Sequence, residues 1–191
     1  MSSRTAVAWV ALFALLIAAS FNWIDTGTEQ DVGDDGHVIY PTPSGQARAA
    51  PAGKSDLPAS ARVTRVVDGD TIVVSAGGRT HRVRYIGVDT PETVKPNAPV
   101  ECFGNRASKF NHELIEGKTV KLVPDREPRD RYGRALAYVY LGDRFVNAEL
   151  VKRGLARTLE IDPNTSKASY LAQLERVAIR TNKGLWGACD R

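Results

Sequence analysis

The sequence predicts an α+β protein: a five-stranded β-barrel of the OB type with about three packed helices, preceded by an N-terminal hydrophobic helix. Three observations predict this class. Five short runs rich in β-branched and aromatic residues follow residue 61, and the first three are spaced as a meander. Helical patterns lie between and after the later runs. Five strands with interspersed helices suit a small closed barrel.

The strands are predicted from runs of Val, Ile, Thr and Tyr that are bounded by turn residues. Gly77-Gly78 joins the second and third runs and is typical of a hairpin turn. We predict strands at Arg62–Val67, Thr71–Ala76, Arg79–Val88, Thr119–Val123 and Arg134–Tyr140.

Three helices are predicted from apolar residues at helical spacing. They cover Asn105–Ile115, Val146–Gly154, which ends on a glycine, and Ser166–Thr181. A loop rich in proline and polar residues is expected from Thr90 to Phe103.

The N-terminal residues 1–24 carry an apolar run from Ala6 to Ala19 behind a single basic residue, Arg4. This pattern is typical of a cleaved signal peptide, or of an uncleaved anchor that just reaches the length of a membrane span. Both interpretations place the rest of the chain outside the cytoplasm, secreted or anchored to the membrane. Residues 25–60 are rich in Gly, Pro, Ser, Ala and acid, which predicts a flexible linker. Residues 61–191 then form the folded domain.

The charge of the chain is unevenly distributed. Residues 1–60 contain three basic and six acidic residues, a net −3, so the remaining 131 residues carry +7 to give the formal total of +4. A compact basic domain attracts polyanions such as nucleic acid, because its cations replace the counterions of the phosphates. The two cysteines, Cys102 and Cys189, form neither a zinc site nor a redox motif. One disulfide between them fits an oxidising compartment.

Two short acidic segments suit a metal ion. Asp68 and Asp70 flank Gly69, and strand alternation predicts both carboxylates on one side. Asp89 and Glu92 lie on one tight turn, where a proline ends the third strand. Close carboxylates need a cation between them, and oxygen ligands without His or Cys favour Ca²⁺ or Mg²⁺. Each segment taken alone is also typical of an ordinary turn.

Two arginines stand at predicted strands. Arg84 lies in the third strand among β-branched and aromatic residues, where an inward side chain needs a partner, and Arg134 begins the fifth strand. A guanidinium grips phosphate oxygens two at a time, so two of them facing a metal suit the charge that develops in phosphoryl transfer. A structural salt bridge is the alternative for each arginine. The three histidines form no cluster, which disfavours a histidine-based nuclease.

Taken together, these motifs resemble those of the staphylococcal nuclease (thermonuclease) family. The segments, in order, are DGDT at 68–71, R-x-x-x-x-DTPET at 84–93 and DRYGRxLAY at 130–138. The resemblance extends from about Arg62 to Trp186. It implies an OB barrel with packed helices and an endonuclease that hydrolyses DNA and RNA and leaves 3′-phosphates.

The resemblance also implies a calcium ion and its ligands. Asp70 and Asp89 match the calcium carboxylates, and Thr90 matches the residue that gives its backbone carbonyl to the ion. Asp68 matches an acid that lies close to the metal without binding it directly. Glu92 matches the acid that orients or deprotonates the attacking water.

Four further positions match substrate contacts of the family. Arg84 and Arg134 match the two arginines that hold the scissile phosphate and stabilise its charge in the transition state. Arg131 and Tyr132 match residues that line the nucleotide pocket. One segment departs from the family. Members can stack the base on tyrosines after the Gly-Leu-Ala stretch, whereas residues 157–163 contain two acids and no aromatic residue.

Two other functions explain parts of the sequence. A non-catalytic nucleic-acid-binding module on the same barrel should have lost the metal acids or the phosphate arginines. A membrane-tethered protein-interaction domain explains the N-terminus but not the acids and arginines. We therefore expect a monomeric, calcium-dependent endonuclease that takes DNA and RNA and contacts the membrane if its N-terminal segment stays uncleaved.

Overall fold

The computed structural model describes residues 56–93 and 99–189. The predicted signal peptide or anchor at 1–24 and most of the predicted linker at 25–60 lie outside the described residues. Part of the loop predicted from Thr90 to Phe103 also lies outside them. Within the described ranges, no helix combines the length and apolar character needed to cross a membrane.

Five of the strands in the described ranges build a closed barrel. The strands are β1 Ser60–Val66, β2 Thr71–Ala76, β3 Arg79–Tyr85, β4 Val88–Asp89, β5 Thr119–Val123, β6 Ala135–Leu141, β7 Arg144–Phe145 and β8 Arg157–Thr158. The barrel order is β3-β2-β1-β5-β6 with antiparallel neighbours, and parallel pairing of β3 with β6 closes it. The predicted five-stranded barrel is confirmed. β7 pairs antiparallel with the end of β6, while β4 and β8 form a separate short antiparallel pair.

The helices pack around this barrel. They are α1 Gly104–Ile115, α2 Val146–Lys152, α3 Ala168–Arg180 and α4 Leu185–Ala188. The first three agree with the predicted helices to within two residues at each end. The short α4 was not predicted, because four residues are too few to show a helical period.

The core forms where alternate strand residues meet the helices. Val63, Val74 and Val83 of the barrel are fully buried, as are Leu150 of α2 and Leu171 of α3. Burying each such side chain contributes about 1.5–3 kcal/mol. The barrel wall beside the site is therefore backed by a buried apolar core.

The third predicted strand, Arg79–Val88, is too long, since the barrel strand ends at Tyr85. Gly87 has a φ of +79°, which side chains rarely tolerate, and Leu171 Cδ1 lies 2.6 Å from the position that a Cβ would take. The chain turns here and continues as β4, which pairs with β8. This turn carries Asp89 out of the barrel wall.

A disulfide joins Cys102, just before α1, to Cys189, just after α4. The two Cα atoms are 5.9 Å apart and the cysteines are 87 positions apart in sequence. The structure therefore contains the bridge that the sequence predicts.

Candidate active site

A cavity of about 230 Å³ collects side chains from the β1–β2 turn, from β3, from the segment after β4 and from the start of β6. Its lining consists of Asp68, Asp70, Thr71, Arg84, Asp89, Thr90, Pro91, Glu92 and Arg134. All seven residues that the sequence assigns to metal, water or phosphate thus lie around one cavity. Their individual roles remain predictions.

Asp70 is the buried acid of this cavity, with 4% of its surface exposed. Its Oδ2 accepts hydrogen bonds from the backbone N–H of Thr90 at 2.8 Å and from the Thr90 hydroxyl at 2.9 Å. Burial raises the pKa of Asp70 to about 7; Arg84 opposes this shift and the Asp68 carboxylate adds to it. A cation beside Asp70 would favour its ionised form.

Asp68 and Asp70 lie in the turn between β1 and β2, so the strand alternation predicted for them is wrong. The turn brings them together instead, because Asp68 Oδ1 accepts the backbone N–H of Asp70 at 3.0 Å. Gly69 between them packs against Thr90, whose Cβ lies 2.7 Å from the position of an added Cβ. Only glycine leaves room for Thr90 at this distance.

Arg84 links the two predicted metal carboxylates. Its Nη1 lies 2.9 Å from Asp70 Oδ2, and its Nη2 lies 2.7 Å from Asp89 Oδ1. Nη1 also donates to the carbonyl oxygen of Val88 at 2.8 Å. The guanidinium neutralises two acids that would otherwise repel each other. Arg84, which the sequence predicts to bind the phosphate, is therefore also the counter-ion of Asp70 and Asp89.

Glu92 is held through its backbone by Glu101. The Glu92 N–H donates to Glu101 Oε2 at 3.1 Å, and the Glu101 N–H donates to the Glu92 carbonyl oxygen at 3.0 Å. The side chain of Glu92 also accepts the N–H of Thr93 at 2.8 Å. Because Glu101 precedes Cys102, the disulfide anchors the segment that positions Glu92.

Arg134 is oriented by Asp130. Asp130 Oδ2 accepts from Nε of Arg134 at 2.6 Å, and its Oδ1 accepts the backbone N–H groups of Tyr132 and Arg134, each at 2.9 Å. The two Nη groups of Arg134 donate no hydrogen bond to any other residue in the described ranges. They are therefore available as donors to a ligand in the cavity.

A second cavity, of about 490 Å³, adjoins the first, since Arg84 and Arg134 line both. Arg131 and Tyr132, predicted to contact the nucleotide, lie on its wall. Arg131 Nη2 donates to the Tyr132 hydroxyl at 2.7 Å, and its guanidinium lies 4.9 Å from the ring centroid. The two side chains form one exposed unit at the mouth of this cavity.

Another part of the lining of the second cavity consists of aliphatic side chains. Leu159 and Ile161, from the segment 157–163 that lacks aromatic residues, line it and are exposed by 37% and 59%. Tyr132 is the more exposed of the two aromatic residues in this lining, with 68% of its surface accessible. Among its exposed residues, the cavity thus offers one ring and two aliphatic side chains to an apolar group.

The donors of the first cavity fit a hard divalent cation. Its lining offers the oxygens of carboxylates and threonines, without His or Cys, and such oxygens are the ligands of Ca²⁺ and Mg²⁺. No three acidic, His or Cys side chains within the described ranges converge into a complete cage. A cation here would take Asp70 and Asp89 and complete its shell with the Thr90 carbonyl and water, as these ions commonly do.

Sequence reasoning missed Glu101 and Asp130. Glu101 contacts the backbone of Glu92 across a loop, and no periodic pattern predicts such a contact. Asp130 offered one signal, since an acid four residues before an arginine in a turn can reach it. Neither residue lines the cavity of about 230 Å³; each holds a residue that does, and Asp130 also lines the larger cavity.

Comparison with known proteins identifies relatives of the whole domain. The family model described as staphylococcal nuclease homologue matches residues 82–188. The thermonuclease of Staphylococcus intermedius is 48% identical over 124 residues, 65% of this chain and 74% of the relative. The thermonuclease of Staphylococcus hyicus is 45% identical over 125 residues, with the same two coverages. Endonuclease YncB of Bacillus subtilis (strain 168) is 36% identical over 171 residues, 88% of this chain and 81% of the relative.

Proposed function

Because the chain belongs to the staphylococcal nuclease family and is a nuclease hydrolase, we propose that it is a calcium-dependent endonuclease. It hydrolyses phosphodiester bonds of DNA and RNA and leaves 3′-phosphate ends. The alternative of a non-catalytic binding module is disfavoured, since every position that catalysis requires is present.

One observation carries this proposal: carboxylates and two guanidinium groups share a cavity of about 230 Å³. The acids alone would suit a structural ion, and the arginines alone would suit passive phosphate binding. Hydrolysis of a phosphodiester needs the carboxylates and the guanidinium groups in one site, because the transition state adds negative charge to an already anionic group.

The metal would be held by Asp70, Asp89 and the backbone carbonyl of Thr90. When bound, it supplies positive charge next to the phosphate and lowers the pKa of a bound water. Asp70 is fixed for this task by two hydrogen bonds from Thr90. Asp68 acts indirectly, by accepting the backbone N–H of Asp70 and shaping the turn.

Arg84 and Arg134 hold the scissile phosphate. The Nη groups of Arg134 make no other hydrogen bond within the described ranges, so they can grip two phosphate oxygens. Arg84 is shared between Asp70 and Asp89 in this structure. Its guanidinium lines the same cavity, so it can also contact a phosphate bound there.

Glu92 takes or directs the proton of the attacking water. It lines the cavity, and its backbone is held by Glu101 on both sides of the peptide. The water oxygen bonds to phosphorus while the P–O5′ bond breaks. The 5′-oxygen leaves and takes a proton from solvent, and the phosphate stays on the 3′-oxygen of the upstream nucleotide.

The larger cavity holds the nucleotide next to the scissile bond. Arg131 and Tyr132 contact it there, while Leu159 and Ile161 give it an apolar wall without a stacking ring. This supports weak discrimination between bases, because aliphatic contact depends less on base identity than hydrogen bonding does.

The protein acts outside the cytoplasm as a monomer, secreted or anchored by residues 1–24. The disulfide supports this location, because such bonds persist in oxidising compartments. Intact mass of the exported protein distinguishes cleavage of the N-terminal segment from its retention as an anchor.

The test is cleavage of heat-denatured DNA and of RNA with added Ca²⁺, Mg²⁺ or Mn²⁺, before and after chelation. Calcium-dependent cutting whose products gain a free 3′ end only after phosphatase treatment supports the proposal. Asp89→Asn should lose calcium-dependent activity, whereas Asp143→Asn, an exposed acid outside the cavity, serves as the matched control. Cutting with unchanged rate in chelator would remove the metal from the mechanism.

A further inference from the structure

A basic surface lies beside the active cavity, on the outer side of β1, β2 and β3. These three strands contain five arginines and no aspartate or glutamate. One of the five is Arg84 of the cavity. The other four are exposed, and three of them, Arg62, Arg65 and Arg82, are called the basic face below.

Strand register places these arginines on one side of the sheet. Val73 of β2 pairs with Arg65 of β1 and with Arg82 of β3, so the three side chains form a row across the strands. At about 4.8 Å between strands, the two arginine Cα atoms are about 10 Å apart. Arg62 belongs to the next row, where it pairs with Ser75. The residues that alternate with them, such as Val63 and Val83, are buried.

The basic face is continuous with the cavity. Arg82 is two residues from Arg84 on β3, so both side chains leave the same side of the strand, with Cα atoms about 7 Å apart. The row of Arg62 lies one further step away, about 14 Å from the row of Arg84. A chain whose phosphate is held by Arg84 can therefore continue over Arg82 and Arg65.

Within the described ranges, no acidic side chain neutralises the charges of this face. None of its three guanidinium groups makes an ion pair in the part of the chain that the structure describes, in contrast to Arg84 and Arg134. The large apolar side chains that are exposed among the described residues all lie elsewhere. Membrane binding by insertion needs such side chains, whereas a polyanion needs only charge.

We propose that the basic face is a second substrate-binding surface, which binds the sugar-phosphate backbone of the nucleic acid strand beyond the scissile bond. This inference rests on the proposed binding of the scissile phosphate at Arg84. The face lacks aromatic residues and buried polar pockets, so it contacts phosphates without reading bases. It gives the enzyme a preference for long strands over short fragments.

The test compares two substrates, a dinucleotide that reaches only the cavity and a 20-nucleotide single strand that also covers the face. In Arg65→Ala/Arg82→Ala, the KM for the 20-mer should rise, while kcat on both substrates and the KM for the dinucleotide stay within about twofold. Each lost phosphate contact removes about 0.7 from the slope of log affinity against log salt. The ratio of variant to wild-type KM should therefore shrink about sevenfold between 50 and 200 mM salt.

The matched control is Arg144→Ala/Arg176→Ala, which removes the same charge from exposed positions on β7 and α3. It should keep the KM of the wild type. An equal rise of KM in this control would assign the effect to net charge and overturn the proposal. Equal salt slopes in the wild type and Arg65→Ala/Arg82→Ala would also overturn it.

Binding of a fluorescent 20-mer, measured by anisotropy, separates this proposal from the proposed catalysis. If the wild type cuts nothing with any metal, a weaker Kd in Arg65→Ala/Arg82→Ala still supports the basic face. If that variant loses affinity for phosphatidylserine vesicles but keeps its Kd for the 20-mer, the face binds membrane lipids and the proposal fails.

Discussion

The contact between Asp130 and Arg134 allows a sharp test of the active site through Asp130→Asn. The amide keeps an oxygen for the two backbone N–H groups that Asp130 Oδ1 now accepts at 2.9 Å. Asparagine has an NH₂ group in place of Oδ2. Oδ2 accepts a hydrogen bond from Arg134 Nε at 2.6 Å, and an NH₂ group cannot accept one. The turn should therefore survive, while the guanidinium loses the acceptor that orients it.

The expected loss follows from the strength of this bond. A hydrogen bond to a charged group contributes about 1.5–3 kcal/mol, and the lower end applies because the Arg134 side chain is 29% exposed. About 1.4 kcal/mol corresponds to tenfold in rate, so kcat should fall about tenfold with a small change in KM. Arg134→Ala removes the donor itself and should lower kcat by about 10²–10³.

A double-mutant cycle tests this reasoning. It compares the steady-state kcat of the wild type, of both single variants and of the double variant on the same oligonucleotide. If Asp130 acts only through Arg134, Asp130→Asn should change kcat little in the Arg134→Ala background. A tenfold loss in both backgrounds would refute the positioning role of Asp130. Unfolding in urea shows whether either variant is destabilised instead.

Three further predictions follow from the bridge, the cavity and the core. Cys102→Ser/Cys189→Ser opens a loop of 87 positions, and loop entropy predicts a loss of up to about 4.6 kcal/mol in the free energy of unfolding. The urea midpoint should therefore drop clearly. A loss of less than about 0.5 kcal/mol would contradict this prediction. Chelation should abolish cleavage yet leave Tm within a few degrees, because Arg84 already neutralises the acids of the cavity; unfolding on chelation would show that the ion is structural. Burial raises the pKa of Tyr85 and of Tyr138, whereas unfolded tyrosine ionises near pH 10, so the folded state binds more protons above that pH. Stability should then fall by up to about 1.4 kcal/mol per pH unit for each tyrosine. The Tyr85→Phe variant should show a shallower slope than the wild type in urea titrations at pH 10–12, and an unchanged slope would contradict this.

Much of the barrel could be predicted because its strands are local patterns. Thr71–Ala76 and Thr119–Val123 have the bounds that the sequence predicts, since turn residues flank runs of β-branched side chains. The break at Gly87 was not predicted, because β-branched residues continue on both sides of the glycine. The contact that excludes a larger residue there comes from Leu171, which is distant in sequence. The pairing of β4 with β8 was missed for the same reason.

The candidate site was predicted from the order of its motifs, and not from the geometry of any one of them. Asp70 and Asp89 meet through Arg84, an arrangement that neither acidic segment reveals by itself. The supporting residues Glu101 and Asp130 were missed, because their role exists only as a distance to another residue. Residues that face a ligand carry a recognisable chemistry in sequence, whereas residues that hold them in place can be of many types.

The disulfide also determines what a single proteolytic cut can do to this molecule. Residues 102–189 form a covalent ring that includes Arg134 and the exposed turn at Arg131 and Tyr132. One cut inside the ring releases no fragment, because both pieces remain joined through the bridge and through the barrel pairing of β5 with β6. A nick at this exposed turn would therefore leave both pieces attached, and they would separate only after a second cut or a reduction of the bridge.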